Sequence, residues 1–249
     1  MTGVQERQRQ ENGERLSPQP AAGAIFLLAA TRWEVTPIAK RLGLSLSGPS
    51  YRGTVGSREV LLLKTGIGTA DTLRSLSLIS ARQALPRLAC VISIGLCGAL
   101  QPGMATGDLV AELGGAELET LEAARAVAAR QGARIHFGRL AHSERVLAEP
   151  REKADLGRRQ RASAVDMESA AVRRWAADHA VFFHAFRVVL DSLEDRLPSV
   201  LPQGESFSEL VRYAAGNLSQ WPLLLSLALK QRKAMRALSR FLEELLPWL

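Results

Sequence analysis

Cysteine, aromatic residues and long hydrophobic runs are all scarce in this 249-residue chain. Its two cysteines, Cys90 and Cys97, lie in one apolar, glycine-containing run, which favours buried thiols in a reduced compartment over a disulfide framework. The longest apolar run near the end, residues 221–229, is far shorter than the roughly 20 residues that a membrane-spanning helix needs. We therefore expect a cytoplasmic protein without a transmembrane segment.

Residues 1–20 have almost no apolar content and no hydrophobic core segment. This composition predicts a disordered tail rather than a secretory signal. The remaining chain is long enough to bury a substantial core. We expect one domain over residues 21–220, followed by a basic amphipathic helix over residues 221–249.

The net charge of +7 is concentrated in two places. Residues 151–161 carry five cations and two anions, and residues 222–249 also carry five and two. Because the rest of the chain is close to neutral and aromatic residues make up 5%, a nucleic-acid-binding function is disfavoured. A membrane surface is the better candidate partner for the second patch.

Apolar runs typical of buried strands alternate with helical periodicity along most of the chain. Strands are expected at residues 24–30, 88–94, 108–113, 134–141, 164–166 and 181–190, and a turn followed by a strand at residues 53–64. Helices are expected at residues 33–42, 70–84, 116–131, 150–161 and 168–178. The charged helix at residues 150–161 is expected to be exposed. This alternation predicts the α/β class, with a three-layer αβα sandwich in which helices cover both faces of one sheet.

Three carboxylates lie at junctions between these predicted elements. Glu34 opens the first helix, Glu168 opens the helix after residues 164–166, and Asp191 ends an apolar strand. Partial burial shifts the pKa of a carboxyl group, which lets the group act as a general acid or base. Ordinary explanations stay open: an acidic first helical turn for Glu34, for Glu168 and for its neighbour Asp166, and a cap or turn for Asp191.

Two glycine turns accompany the carboxylates. Thr65 and Gly66 begin a Thr-Gly-Ile-Gly turn between a strand and a helix, where backbone amides can face an anion or a polarised water. Residues 95–98, Gly-Leu-Cys-Gly, are expected to close the next strand, and Gly98 there lets the backbone approach a flat ligand. Either turn alone is weak evidence for a ligand.

Cleavage of an N-glycosidic bond needs a proton for the departing base, a positioned nucleophile and a grip on the sugar. Asp191, Glu34 and Glu168 match these three roles in that order. The joint match favours nucleoside chemistry more than any single residue does.

The segment Val-Asp-Met-Glu at residues 165–168 resembles the Val-Glu-Met-Glu signature of the nucleoside phosphorylase and nucleosidase superfamily. That resemblance implies a nucleosidase-like fold with a central mixed sheet, ribose contacts from Met167 and Glu168, and a homodimer. Residues 30–35 and the Thr-Gly-Ile-Gly turn are similar to the 5'-methylthioadenosine/S-adenosylhomocysteine nucleosidases, in which the glutamate before valine activates water.

Residues 138–147 align with the base-binding segment of those nucleosidases, which implies that Val146 and Leu147 contact the base. Val146 stands where the family places an aromatic residue that stacks on adenine. Leu190 replaces the serine of a Ser-Asp pair, which removes one hydrogen bond to the aspartate. The absence of the stacking aromatic residue at Val146 disfavours a small, tightly stacked ligand.

Residues 186–191, the following Arg-Leu-Pro and a C-terminal Pro-Leu-Leu-Leu stretch resemble the hopanoid-associated nucleosidases or phosphorylases. This implies removal of adenine from adenosylhopane to leave ribosylhopane, with no cofactor. Met235, Leu238, Leu242, Leu245 and Leu249 form one helical stripe, which fits peripheral contact with the inner membrane surface or, equally, a helix packed on the domain or a dimer interface.

Water is favoured as the nucleophile because Glu34 is a poor neighbour for phosphate, although Arg32 and Thr65 keep phosphorolysis open. A nucleosidase for methylthioadenosine or adenosylhomocysteine and a non-catalytic nucleoside-binding module are also compatible with the sequence. His136, His142, His179 and His184 show no metal-ligand spacing, so no metal site is expected.

Overall fold

The computed structural model describes residues 23–81, 85–114, 118–197 and 221–249, with the side chains of the last helix described from residue 225. The predicted tail therefore lies outside the described residues. Within the described residues, ten strands form one mixed sheet. They are β1 Ala24–Ala29, β2 Ser45–Ser47, β3 Ser50–Val55, β4 Arg58–Lys64, β5 Leu88–Ala99, β6 Leu109–Leu113, β7 Ile135–Phe137, β8 Leu140–His142, β9 Ala164–Asp166 and β10 Phe182–Asp191.

Six helices accompany the sheet in the described part of the chain. They are α1 Arg32–Arg41, α2 Gly68–Ala81, α3 Leu118–Arg130, α4 Pro150–Gln160, α5 Ser169–Asp178 and α6 Trp221–Leu245, which a 3-10 turn at Leu246–Trp248 follows. Most predicted elements are present with ends that differ by a few residues.

The strand order is β2-β3-β4-β1-β5-β10-β6-β7, and β9 pairs with both β5 and β8. The central strands β4, β1, β5 and β10 run parallel, whereas β3 and β6 are antiparallel to their inner neighbours. The carboxyl ends of four central strands therefore meet at one edge of the sheet, which is where open α/β sheets bind ligands.

Alternate residues of β1 serve two separate cores, as a strand with both faces covered requires. Ile25 and Leu27 pack in a cluster with α1, α3 and α6, while Phe26 and Leu28 pack in a cluster with α2 and α5. The predicted three-layer sandwich is confirmed.

Two expected strand boundaries are wrong. The strand that begins at Leu88 does not close at Gly95 but continues to Ala99, and β10 pairs with it as far as Gly98. The segment 134–141 is two strands, because β7 pairs with β6 whereas β8 pairs with β9. The break falls at Gly138, where an added Cβ would lie 2.1 Å from Ser163 Oγ.

The C-terminal stripe belongs to the core. Met235, Leu238, Leu242 and Leu245 are each at most 3% exposed and pack against the face that α1 and α3 also cover, and Leu249 packs there while partly buried. The apolar stripe is thus buried inside the domain and is not exposed to a membrane. No described helix combines the length and the hydropathy required to cross one.

Candidate active site

A cavity of about 200 Å³ lies at the carboxyl edge of the central strands. Residues from the loops after β1 and β4, from the end of β5, from β9 and from the end of β10 line it. The three predicted carboxylates, Glu34, Glu168 and Asp191, all line this cavity, and each is at most 7% exposed. Residues far apart in sequence are thus brought together by the parallel strands.

Glu34 is fixed at the start of α1 by a capping box. Thr31 is the N-cap, and its backbone N–H and hydroxyl donate to Glu34 Oε2 at 2.9 and 3.0 Å. The Leu96 N–H donates to Oε1 at 2.9 Å. Both carboxylate oxygens therefore have fixed directions, so the ordinary first-turn role and a place in the cavity wall are combined in one buried side chain.

Gly95 gives Glu34 its space. An added Cβ there would lie 2.3 Å from Glu34 Oε1 and 2.8 Å from Arg187 Nη1, and the φ angle of +139° disfavours any other residue. The glycine is therefore required by the close approach of a carboxylate and a guanidinium to the β5 backbone.

Glu168 lies at the junction between β9 and α5. The Gly68 N–H at the start of α2 donates to its Oε1 at 2.9 Å, and Arg187 Nη2 lies 3.6 Å from Oε2. Burial raises the pKa of Glu168 to about 7, although the attraction of Arg187 opposes that rise. Burial therefore favours the protonated form of this carboxyl more than in an exposed glutamate.

Arg187 is one of two charged residues of this region that the sequence analysis missed. It is 1% exposed, its Nη2 lies 2.5 Å from Asp166 Oδ2, and it donates to the Ser93 hydroxyl at 2.7 Å. It is the one charged residue within the otherwise apolar residues 186–190 of β10. A charge at a position predicted to be buried could have identified it from the sequence. Its charge compensates Asp166 and lies beside Glu34 and Glu168.

Asp191 ends β10 and is 3% exposed. Burial raises the pKa of its carboxyl, while the Lys153 ammonium, 2.5 Å from Oδ2, acts in the opposite direction. Lys153 is buried and lines the cavity, so the expectation that the charged helix at residues 150–161 is fully exposed is wrong at this position. Its sequence context, among arginines and acids, gave no signal for burial.

The predicted substrate-binding residues divide into two groups. Gly98, Val146, Leu147 and Met167 line the cavity together with Glu168. Thr65 and Gly66 are not among its lining residues. The Thr65 hydroxyl lies within hydrogen-bond distance of two carbonyls, 3.3 Å from that of Ala29 and 3.1 Å from that of Gly66. Ile67 is the residue of this turn that reaches the cavity.

Comparison with known proteins finds one family match and a shared fold. Residues 116–220 match the Phosphorylase superfamily. No curated protein matches the sequence.

Several solved structures share the fold. A mutant of the 5'-methylthioadenosine/S-adenosylhomocysteine nucleosidase of Helicobacter pylori, with 5'-methylthioadenosine in its active site, is 18% identical with a TM-score of 0.68, over 91% of this chain and 99% of that one. The futalosine hydrolase of the same organism is 19% identical with a TM-score of 0.66, over 91% and 98%. The 5'-methylthioadenosine/S-adenosylhomocysteine nucleosidase of Neisseria meningitidis is 18% identical with a TM-score of 0.68, over 91% and 100%. The chain therefore has the nucleoside phosphorylase/nucleosidase fold, with a Phosphorylase superfamily match over residues 116–220.

Proposed function

We propose that this protein is a purine nucleosidase that hydrolyses the N-glycosidic bond of a 5'-substituted adenosine and releases adenine. The observation that carries the proposal is the convergence of Glu34, Glu168 and Asp191 on one cavity. The similar folds belong to proteins named for cleavage of methylthioadenosine, adenosylhomocysteine and futalosine, which supports the same class of reaction.

In this proposal Glu168 holds the sugar. When ionised it is an acceptor for the two hydroxyls of a ribose, and the Gly68 N–H and Arg187 fix its direction. Met167 lines the cavity beside it. A fixed grip on the ribose favours the oxocarbenium character that develops as the bond to the base lengthens.

Glu34 activates the water. Its oxygens are held by Thr31 and by the Leu96 N–H, and the remaining lone pairs are free to accept from a water that faces the anomeric carbon. Arg187, beside the same glycine, offsets the negative charge of this region. Phosphate as the nucleophile is the alternative, and adenine release measured with and without phosphate separates the two.

Asp191 donates the proton. Because burial raises its pKa, a larger fraction of this carboxyl is protonated near neutral pH than in an exposed aspartate. It faces the same cavity as Val146, Leu147 and Gly98, which are the residues assigned to the purine ring. Protonation of a ring nitrogen turns adenine into a neutral leaving group.

The experiment is an assay of adenine release from 5'-methylthioadenosine and from adenosines with longer apolar 5'-substituents, with and without phosphate. Asp191→Asn should lower kcat by about 10²- to 10⁴-fold while substrate still binds, because only the proton donor is lost. Asp155→Asn, on the exposed side of α4, is the matched control and should change little. Full activity in Asp191→Asn contradicts the assignment, and strict dependence on phosphate replaces hydrolysis by phosphorolysis.

We further propose that the 5'-substituent is a membrane triterpenoid, so that adenosylhopane is converted to ribosylhopane. The support is the resemblance of residues 186–191, Val146 in place of a stacking aromatic, and the apolar side chains of Ile67, Leu147 and Leu197 around the cavity. Turnover that rises with the apolar length of the 5'-substituent supports this substrate. A preference for methylthioadenosine assigns the protein to the small metabolites instead.

Such a substrate requires a cytoplasmic protein that contacts the inner surface of the membrane. The described part of α6 offers one surface for this contact. Leu225 and Leu229 are 63% and 59% exposed, and Arg232, Lys233 and Arg236 follow on the same helix. Apolar side chains beside cations suit an anionic bilayer surface. Sedimentation with anionic vesicles should be lost in a Leu225→Ser, Leu229→Ser double variant and kept in Leu46→Ser, a control that is 67% exposed on β2.

The homodimer implied by the resemblance is also part of the proposal. Light scattering of the purified protein tests it, and a molar mass near twice 27.0 kDa is the expected result.

A further inference from the structure

Lys153 is buried in a helix whose arginines face solvent. On α4, Arg151, Arg158 and Arg159 are exposed, whereas Lys153 is 1% exposed. A buried ammonium is costly unless it is paired and hydrogen-bonded. The position of this lysine therefore calls for partners that compensate it.

Three oxygens supply that compensation, all from the end of β10 and the loop after it. Lys153 Nζ lies 2.5 Å from Asp191 Oδ2 and donates to the carbonyls of Ser192 at 2.9 Å and Asp195 at 2.8 Å. The two carbonyls accept hydrogen bonds from the ammonium, and the carboxylate oxygen is its ion-pair partner. Lys153 thus joins α4 to both the proposed acid and the loop that follows it.

We propose that Lys153 is the positioning residue for Asp191, holding one carboxylate oxygen so that the other faces the purine of the bound nucleoside. The inference rests on the proposed function, and it assigns a residue that the three-carboxylate scheme does not include. Within the described residues, Lys153 is the side chain that forms an ion pair with the Asp191 carboxylate.

The packing around Asp191 leaves little freedom for another orientation. An added Cβ on Gly98 would lie 3.3 Å from Oδ2 and 3.5 Å from Oδ1, so the carboxyl is pressed against the β5 backbone. Both Lys153 and Asp191 line the cavity. A lysine that served the loop alone would satisfy the two carbonyls without meeting the carboxylate.

A second lysine holds the loop from the other side. Asp195 Oδ2 accepts from Lys230 Nζ of α6 at 2.7 Å and from the Ser192 N–H at 2.8 Å. The loop is therefore fixed by α4 through Lys153 and by α6 through Lys230. Losing one contact leaves the other, so a change at Lys153 is expected to misplace Asp191 without releasing the whole loop.

The charges that face Asp191 give the inference a pH signature. Lys153 on α4 and Lys230 on α6 lower its pKa, Asp195 raises it, and Cys97 on β5 is the nearby thiol, which burial keeps neutral. Without the Lys153 ammonium the pKa of Asp191 rises further, because the largest opposing charge is gone. A proton donor stays protonated below its pKa, so the alkaline limb of activity moves to higher pH.

The test compares Lys153→Met, Lys153→Arg and the control Arg159→Met, which changes an exposed cation on the same helix. Lys153→Met should lower kcat by about 10- to 100-fold with little change in KM, because a misplacement of about 1 Å is enough for such a loss. Its alkaline limb should move to higher pH. Lys153→Arg should recover part of kcat with a pH profile near that of the wild type.

Three results overturn the inference. The first is an active wild type with Lys153→Met unchanged in kcat and pH profile. The second is a Lys153→Met variant in which kcat and thermal stability fall and KM rises, while the pH profile of the remaining activity stays that of the wild type. If Lys153→Met does not fold, Lys153→Gln decides, and a wild-type kcat and pH profile in that uncharged variant is the third. A wild type inactive on every adenosine overturns the proposed function and this inference with it.

Discussion

Replacing Glu168 by glutamine should stabilise the protein at neutral and alkaline pH while it weakens substrate binding. The reason is the burial of Glu168, which raises its pKa from the ordinary 4.5 to about 7 despite the neighbouring Arg187. A buried acid whose folded pKa is raised makes its full contribution to stability below the unfolded pKa. That contribution is lost as the pH rises towards the folded pKa.

The size of the effect follows from the two pKa values. Between pH 4.5 and about 7 the native state keeps a proton that the unfolded state has lost, and the difference corresponds to about 3 kcal/mol. Glutamine has no charge to bury, and its oxygen still accepts the N–H of Gly68, which lies 2.9 Å from Oε1 in the wild type. The stability of Glu168→Gln relative to the wild type should therefore rise by about 3 kcal/mol across this range.

Denaturant unfolding of both proteins at about pH 4.5, 6 and 7.5 measures that difference. Glu59→Gln, an exposed glutamate on β4, is the control and should show no comparable change with pH. A Glu168→Gln variant whose stability relative to the wild type stays constant or falls as the pH rises refutes the reasoning. The same variant should lose kcat/KM, because a neutral amide is a poorer acceptor for ribose hydroxyls than a carboxylate.

Further expectations concern the groups that hold the site. Arg187→Met should destabilise the fold by about 3–5 kcal/mol in denaturant unfolding, because it leaves buried carboxylates without their cation; stability within about 1 kcal/mol of the wild type contradicts this pairing. Gly95→Ala should destabilise by about 1–3 kcal/mol and reduce adenine release, since its Cβ would meet Glu34 Oε1 at 2.3 Å, and unchanged turnover argues against a fixed Glu34. Leu242→Ala should lower stability by about 2–5 kcal/mol without changing KM, because this α6 side chain is fully buried in the core.

The layered fold was predictable because hydrophobic periodicity separates its elements. The apolar runs of β1 and β10 and the helical spacing after Trp33 indicate a sheet covered by helices, and the structure has both. The glycines at Gly95 and Gly138 were harder to interpret. A glycine at the end of an apolar run is typical of a turn, yet Gly95 lies inside β5, where it makes room for Glu34.

The candidate site was predictable in part for a similar reason. The acids at strand and helix junctions were identifiable from local sequence, and Glu34, Glu168 and Asp191 do meet at one cavity. Arg187 and Lys153 were missed because their roles depend on tertiary partners, namely Asp166 for the arginine and Asp191 for the lysine. A charged helix such as α4 gives no pattern from which the one buried cation can be selected.

The position of the stripe on α6 shows the limit of amphipathicity as a guide. Met235, Leu238, Leu242 and Leu245 share one face, and that pattern fits a membrane surface and a protein core equally well. The stripe belongs to the protein core, because it contacts the sheet and α1. Leu225 and Leu229 on the same helix stay exposed.

The most direct test is a crystal structure of the Asp191→Asn variant with an intact 5'-substituted adenosine. We predict that both ribose hydroxyls lie within about 2.6–3.2 Å of Glu168 and that the side chain at position 191 lies at a purine ring nitrogen. Glu34 should lie on the side of the anomeric carbon opposite the base. A nucleoside bound outside this cavity, or one whose sugar lies away from Glu168, contradicts it.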